Sequence, residues 1–239
     1  MSFYSRFAPY YEQVFPFREE VFVFLKEMAG PVGSVVLDIG CGPGHYCGRF
    51  AREGFIAHGL DLDSRMIDAA TASYPDASFR CMDMEDIERL QGSSFNLVYS
   101  IGNVLSHLFP DKLVRFVAAV NALLVPGGCW LFQVVNREAI LGLSEFDFPV
   151  KRLEGGDMAF HRRYTDIAKE KVLFRFSLTK GDSMLFGEQF TLYPGTFGEY
   201  SKIHEDSGFT AVGLHGGLDG GGFSPENSSA LVMVFRRGE

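Results

Sequence analysis

The run Val35-Val36-Leu37-Asp38-Ile39-Gly40-Cys41-Gly42-Pro43-Gly44 sets a carboxylate just ahead of three alternate glycines. Glycines at that spacing let a backbone turn sharply and approach a ligand with no Cβ in the way. Asp38 can accept hydrogen bonds from loop amides or from a ligand ammonium group. About 20 residues past the loop, in His58-Gly59-Leu60-Asp61-Leu62-Asp63, Asp61 stands where an acidic side chain grips ribose hydroxyls. Asp63 is better placed to cap the helix that follows. In Arg80-Cys81-Met82-Asp83-Met84, Asp83 can accept from an exocyclic adenine amine and the Met84 amide can donate to a ring nitrogen. Each carboxylate alone is an ordinary cap or loop residue. Three of them ending successive strands mark the edge where open α/β sheets bind ligands.

Two cofactors compete for such a loop. The dinucleotide fingerprint is G-x-G-x-x-G, with a helix N-terminus facing a pyrophosphate. Here the glycines are Gly40, Gly42 and Gly44, and His45 stands where the third dinucleotide glycine belongs. Asp38 would also repel a pyrophosphate, whereas a zwitterionic amino acid bearing a sulfonium tolerates it. The loop favours S-adenosylmethionine (SAM) over a nicotinamide dinucleotide.

The elements that must position these residues follow from the hydrophobic rhythm. Residues 1–33 read as an N-terminal helical cap, with helical spacing from Phe17 to Met28. From 34 to 136, short apolar runs alternate with amphipathic ones: strands at 34–39, 55–60, 78–82, 95–101 and 129–135, and helices at 45–52, 66–73 and 112–124. Asp111 is the expected N-cap of the last helix, and Pro126-Gly127-Gly128 the turn into the fifth strand. This alternation implies a parallel sheet with helices on both faces. Residues 137–193 break the rhythm, with strand-like runs at 159–165, 172–178 and 184–192 and no crossover helix, and read as an antiparallel β insertion. Residues 194–239 return to the core: Thr196-x-x-Glu199 opens a helix that Gly208 ends, and two strands, 209–214 and 230–235, form a closing hairpin. The expected fold is α/β and Rossmann-like in three layers, with a mostly parallel seven-stranded sheet, a reversed last strand and the β insertion.

Composition narrows the partners. Hydrophobic residues make up 46% of the 239, including 24 Phe, enough for a substantial core. A net charge of −8 works against a nucleic-acid surface. Cys41, Cys47, Cys81 and Cys129 form no C-x-x-C pair and read as buried free thiols in a reducing compartment. No apolar stretch reaches the length of a membrane span, the first residues lack the pattern of a leader, and no His spacing suits a metal. The expectation is a soluble, cytoplasmic protein without membrane, nucleic-acid or metal partners.

The motifs together resemble the class I SAM-dependent methyltransferase family. The matching pieces are 36–44, Gly59-Leu60-Asp61, Cys81-Met82-Asp83-Met84, Phe95-Asn96-Leu97-Val98-Tyr99-Ser100 and Leu123-Leu124-Val125-Pro126-Gly127-Gly128, in order and spacing from about 34 to 136, with the terminal hairpin. The resemblance implies SAM as cofactor, held by Asp38, Gly40, Cys41, Gly42, Gly44, Asp61, Leu62, Asp83, Met84 and Ile101. Asn96 departs from the acidic residue common there, at a position that supports the strand. Ile101-Gly102-Asn103-Val104-Leu105-Ser106-His107-Leu108, the aromatic segment from Tyr4 to Tyr11 and Leu192-Tyr193-Pro194 are similar, more loosely, to glycine N-methyltransferases and other small-molecule N-methyltransferases.

Methyl transfer from a sulfonium is an in-line displacement, so the protein mainly holds a nucleophile near the methyl group in a dry pocket. Substrate-side candidates are Tyr10, Tyr11, Asn103, His107, Arg163, Tyr193 and His215. His107 is either a general base or a helix-start histidine bonded to backbone. Tyr10 and Tyr11 either close over the cofactor or pack helices. Asp219 either enters the site or turns the chain, and His161 and His204 are expected at the surface. The insertion suits a lid, a substrate surface or a homodimer surface. Three rivals stand beside a small-molecule methyltransferase: one acting on nucleic acid or protein, a nicotinamide-dependent oxidoreductase, and a non-enzymatic SAM-binding regulator. Against the nucleic-acid case, no Asn/Asp-Pro-Pro-aromatic run follows the fourth strand.

Overall fold

The structure is a computed structural model that describes residues 7–153 and 155–239. Tyr4, at the head of the aromatic N-terminal segment, lies outside the described residues. The chain runs α1 (Tyr11–Val14), α2 (Glu19–Ala29), β1 (Val35–Ile39), α3 (His45–Arg52), β2 (Ile56–Asp61), α4 (Ser64–Ser73), β3 (Ser78–Cys81) and β4 (Phe95–Ser100). It continues through α5 (Pro110–Leu123), β5 (Leu124–Val135) and α6 (Arg137–Ile140) into β6 (Glu145–Asp147), β7 (Lys151–Arg152), β8 (Met158–Thr165), β9 (Val172–Lys180) and β10 (Ser183–Leu192). Then come α7 (Phe197–Asp206), β11 (Phe209–His215) and β12 (Ala230–Arg237). Segments of 3-10 helix occupy Ala8–Tyr10, Met84–Leu90 and Val104–His107.

The main sheet has the order β11-β12-β5-β4-β1-β2-β3. Strands β1 to β5 pair in parallel, and β12 lies antiparallel to both β5 and β11, which makes it the reversed strand expected at the end of the chain. Because side chains alternate along a strand, β1 feeds two cores. Leu37 and Ile39 join the helices α5 and α7 on one face, and Val36 joins α2 and α3 on the other. The second sheet, β10-β9-β8-β6 with β7 on β8, is antiparallel throughout. Its Tyr164, Val172 and Leu192 pack on Val135 at the carboxyl end of β5, so it lies over the ligand edge of the main sheet.

Four local expectations are corrected. The N-cap of α5 is Phe109, with Pro110 at the first helical position and Asp111 inside the first turn. Proline suits that position because its missing N–H has no partner there anyway. Pro126-Gly127-Gly128 is no turn ahead of a strand: Leu124 already pairs Phe95 and Cys129 pairs Leu97, so residues 125–128 bulge out of a continuous ladder. Cys81 ends the edge strand β3 and is exposed, whereas Cys41, Cys47 and Cys129 are buried thiols as read.

His204, expected at the surface, is fully buried. Trp130 Nε1 donates to its Nε2 at 3.0 Å, which makes Nε2 the acceptor and leaves the proton on Nδ1, 2.6 Å from the Tyr200 carbonyl. The ring stacks on Phe235 at 4.1 Å, and burial pushes its pKa down to about 4. The physical reason is register. Thr196 and Glu199 form the expected capping box, which fixes α7 so that Tyr200 and His204, four apart, face the sheet together.

Candidate active site

The glycine loop joins β1 to α3. Gly40, Gly42 and Gly44 have φ of +79°, +54° and +82°, where other residues are strained. A Cβ on Gly40 would lie 2.4 Å from Val104 Cγ2, and one on Gly44 2.7 Å from the Phe79 ring. The loop is tied to β2: Gly40 N and Cys41 N both donate to the Leu60 carbonyl, and Gly42 N donates to Asp61 Oδ2 at 2.9 Å. The loop amide therefore goes to Asp61 and not to Asp38. Asp38 is buried below the loop, 3.9 Å from the Cys47 thiol, and its Oδ1 has no hydrogen-bond partner among the described residues. Burial pushes its pKa up to about 8, against the Tyr99 hydroxyl, which pulls it down.

Asp61 also accepts from Asp63 N through Oδ1. Each of its oxygens keeps a second lone pair, so both can still receive a hydroxyl. Burial raises its pKa as well. Asp63 caps α4 through Arg65 N and Met66 N, as its position in the sequence suggested. Leu62 between them is 70% exposed at the strand tip, an apolar surface left open beside the acidic pair. Asp83 caps the turn that begins at Met84, through Glu85 N, with one oxygen to spare. Ile101, after β4, packs into the core shared by α2 and α3, and Cys41 is buried there too. Asn96 Oδ1 accepts from Val35 N and so braces β1, the role expected of that departure.

Two segments close over this edge. Tyr11 lies directly above Gly42, where an added Cβ would sit 3.4 Å from Tyr11 Cζ, and its ring is 6.3 Å from His45. Tyr10 reaches β10 instead, with its ring 6.3 Å from Phe186. Phe7 stacks on Phe160 of β8 at 4.9 Å, so the N-terminal segment bridges the glycine loop and the second sheet. After β4 the chain turns through Asn103 in the left-handed region, φ +69°. Its Nδ2 donates to the Tyr164 hydroxyl at 3.0 Å, while its buried Oδ1 has no partner among the described residues. Gln133 of β5 sets this turn by accepting Gly102 N and Asn103 N. The His107 ring leans edge-on to Phe190 at 5.6 Å, and burial lowers its pKa, so the imidazole is neutral at pH 7. Tyr193 N donates to the Ser106 carbonyl, and the Tyr193 ring meets Phe109 at 4.9 Å.

Other candidates lie elsewhere. Arg163 points away from the glycine edge and pairs with Asp147 at 2.6 Å and Glu145 at 3.2 Å on the exposed face of the second sheet. His161 shares that face. A cavity of about 560 Å³ lies on this outer face, lined by Asp147, His161, Arg163, Arg175 and Gln189 among others, away from the glycine loop. His215 packs on Phe24 at the far edge strand, and Asp219 closes a turn on Gly221 N. The sequence alone does not single out Tyr99 and Cys47 beside Asp38, or Tyr164 and Arg162 on β8. Alternation along Phe160-His161-Arg162-Arg163-Tyr164 was the available signal: it sets Arg162, and not Arg163, on the face of the two buried aromatics.

Residues 36–128 match a family model described as a methyltransferase domain. The match takes in the glycine loop, Asp61 and Asp83. A SAM-dependent methyltransferase from Clostridium acetobutylicum superposes with a TM-score of 0.79 at 16% identity, covering 100% of both chains. A SAM-bound amino pentose methyltransferase from Micromonospora echinaspora gives 0.72 at 22% identity, over 92% of this chain and 90% of that one. Both likenesses speak to the fold alone. Among curated proteins, the ubiquinone biosynthesis O-methyltransferase of Paracidovorax citrulli is 33% identical over 112 residues, 45% of this chain and 46% of that protein. The Coxiella burnetii enzyme of the same description is 30% identical over 109 residues, 44% of this chain and 45% of that protein. The chain thus spans about half the length of the curated relatives it matches. Among the described residues no helix is long and apolar enough to cross a membrane.

Proposed function

We propose that this protein transfers a methyl group from SAM to an N, O or S atom of a small molecule. The observation that carries the reading is the orphaned, buried Oδ1 of Asp38 beneath a glycine loop whose Cβ space is already filled, with Asp61 ending the next strand and Asp83 two residues past the one after it. A cationic amino-acid ligand supplies what that oxygen lacks, and a pyrophosphate would not. The residues fit SAM: Asp38, Gly40, Cys41, Gly42 and Gly44 for its methionine part, Asp61 for the ribose, Leu62, Asp83 and Met84 for the adenine, and Ile101 alongside. When bound, SAM supplies a methyl group already activated on a sulfonium.

The chain's own residues then bind, orient and keep out water. Tyr11 covers the loop, and the second sheet roofs the turn after β4. Asn103, held by Tyr164, presents an unpartnered carbonyl oxygen that can accept a hydrogen bond from an acceptor N–H or O–H. The neutral His107 can take a proton from a hydroxyl or thiol, and an amine that binds uncharged needs no such base. A small acceptor is supported by the net charge of −8 and by relatives named as O-methyltransferases and an amino pentose methyltransferase. A cytoplasmic location belongs to the same reading and rests on the free thiols.

The test is calorimetry with S-adenosylhomocysteine (SAH) and with NADH, followed by incubation with methyl-labelled SAM and a metabolite pool. SAH binding and label in small molecules are expected. Binding of NADH alone, or label only in nucleic acid or protein, overturns the reading.

A further inference from the structure

Along β8, Phe160 and Tyr164 are buried on the inner face, and Arg162 stands between them, half-buried. Its guanidinium lies 5.5 Å from the centre of the Phe15 ring and 4.7 Å from that of Phe148. Its Nε is buried without a hydrogen-bond partner, and no carboxylate among the described residues pairs with it. Arg49 and Arg137 also have an unpartnered Nε, but Arg137 pairs with Glu199 and Arg49 with Glu19 and Glu53. Half-buried Arg237 donates to the Leu124 carbonyl, and exposed Arg163, one residue along, pairs with two acids. Aromatic faces offset only part of the cost of taking a guanidinium out of water.

A second cation sharpens the imbalance. Lys151 Nζ lies 4.9 Å from the same Phe15 ring and donates to the Val14 carbonyl. Burial, then Arg162 and Arg18, hold its pKa below the usual lysine range. Two cations therefore share one aromatic wall without a counter-ion among the described residues, in a protein of net charge −8. Alternate residues of a strand are about 7 Å apart, so Arg162 lies roughly that far along β8 from Tyr164, whose hydroxyl touches Asn103.

We propose that Arg162, with Lys151 beside it, binds a carboxylate of the methyl acceptor, so that the substrate is a small acid with a flat apolar body. The guanidinium fork matches a carboxylate with two parallel hydrogen bonds, and Phe15, Phe148 and Phe160 suit the body. This rests on the reading of the chain as a small-molecule methyltransferase.

The experiment titrates SAH-loaded protein with benzoate, benzamide and benzylamine, which share a size and differ in charge. Benzoate is expected to bind at least about tenfold tighter than the other two, a difference of about 1.4 kcal/mol. Arg162→Met abolishes that preference, Arg162→Lys retains part of it, and SAH affinity stays within about twofold throughout. Equal binding of acid and amide, no benzoate binding, or a preference that survives Arg162→Met overturns the assignment. The wild-type acid–amide comparison decides the matter even if Arg162→Met fails to fold. Failure to bind SAH in every variant instead strikes the methyltransferase reading, so the two failures are separable.

Discussion

On the proposed function, Asp38 should couple cofactor binding to a proton. With its pKa pushed up to about 8, the carboxyl of the free protein is mostly protonated at neutral pH. The amino-acid ammonium that SAH shares with SAM favours the ionised form, so apparent affinity scales with the ionised fraction. That fraction is about 1% at pH 6, about 9% at pH 7 and half at pH 8. SAH affinity should therefore rise about tenfold from pH 6 to 7 and about fivefold from pH 7 to 8, with close to one proton released per ligand at pH 6. Calorimetry in buffers of different ionisation enthalpy counts that proton. Asp38→Asn should flatten the slope and weaken binding, yet stabilise the free protein. The sign follows from linkage: between 3.8 and 8 the native state holds a proton that the unfolded chain has lost, so stability falls as pH rises through that window. At pH 7 this amounts to roughly 4 kcal/mol, about 1.4 for each of some three units. An SAH affinity that is flat from pH 6 to 7, with no proton release, refutes the reasoning.

His45 and His204, each held near pKa 4 by burial, act in the opposite sense. The unfolded chain binds their protons between 6.5 and 4, so stability should be full above 6.5 and fall toward pH 4. Two such groups outweigh Asp38 there, and urea midpoints of the free protein should peak near pH 6.5. His204→Ala should cost about 2–4 kcal/mol in urea unfolding by stranding the Trp130 indole N–H and leaving a cavity against Phe235. Gly40→Ala, at positive φ and against Val104, should lower SAH affinity at least about tenfold and stability by about 1–3 kcal/mol, read by calorimetry and by melting. Tyr11→Ala should speed SAH dissociation in stopped flow, because the ring covers Gly42.

The alternating core was legible because parallel strands buried on both faces read as short apolar runs, and β1, α3 and α4 fall where their residues indicate within two positions. The cap at Asp63 and the capping box at Thr196 were legible because their partners are two or three residues away. What escaped depends on distant partners. The bulge at 125–128 exists only in the pairing of β5 with β4, and the burial of His204 depends on Trp130, 74 residues earlier. Within the site, the glycines and Asp61 could be placed from local spacing. The unpaired state of Arg162 could not, because it is defined by Phe15 and Phe148 arriving from two other segments.

The bond between Trp130 and His204 has a practical consequence. Trp130 is the only tryptophan of the chain, sealed in the core between β4, α5 and α7. Its emission should stay nearly silent when ligands bind and respond when α7 lifts from the sheet or when acid protonates His204. The molecule thus carries an optical gauge of its own integrity, independent of whether its site is filled.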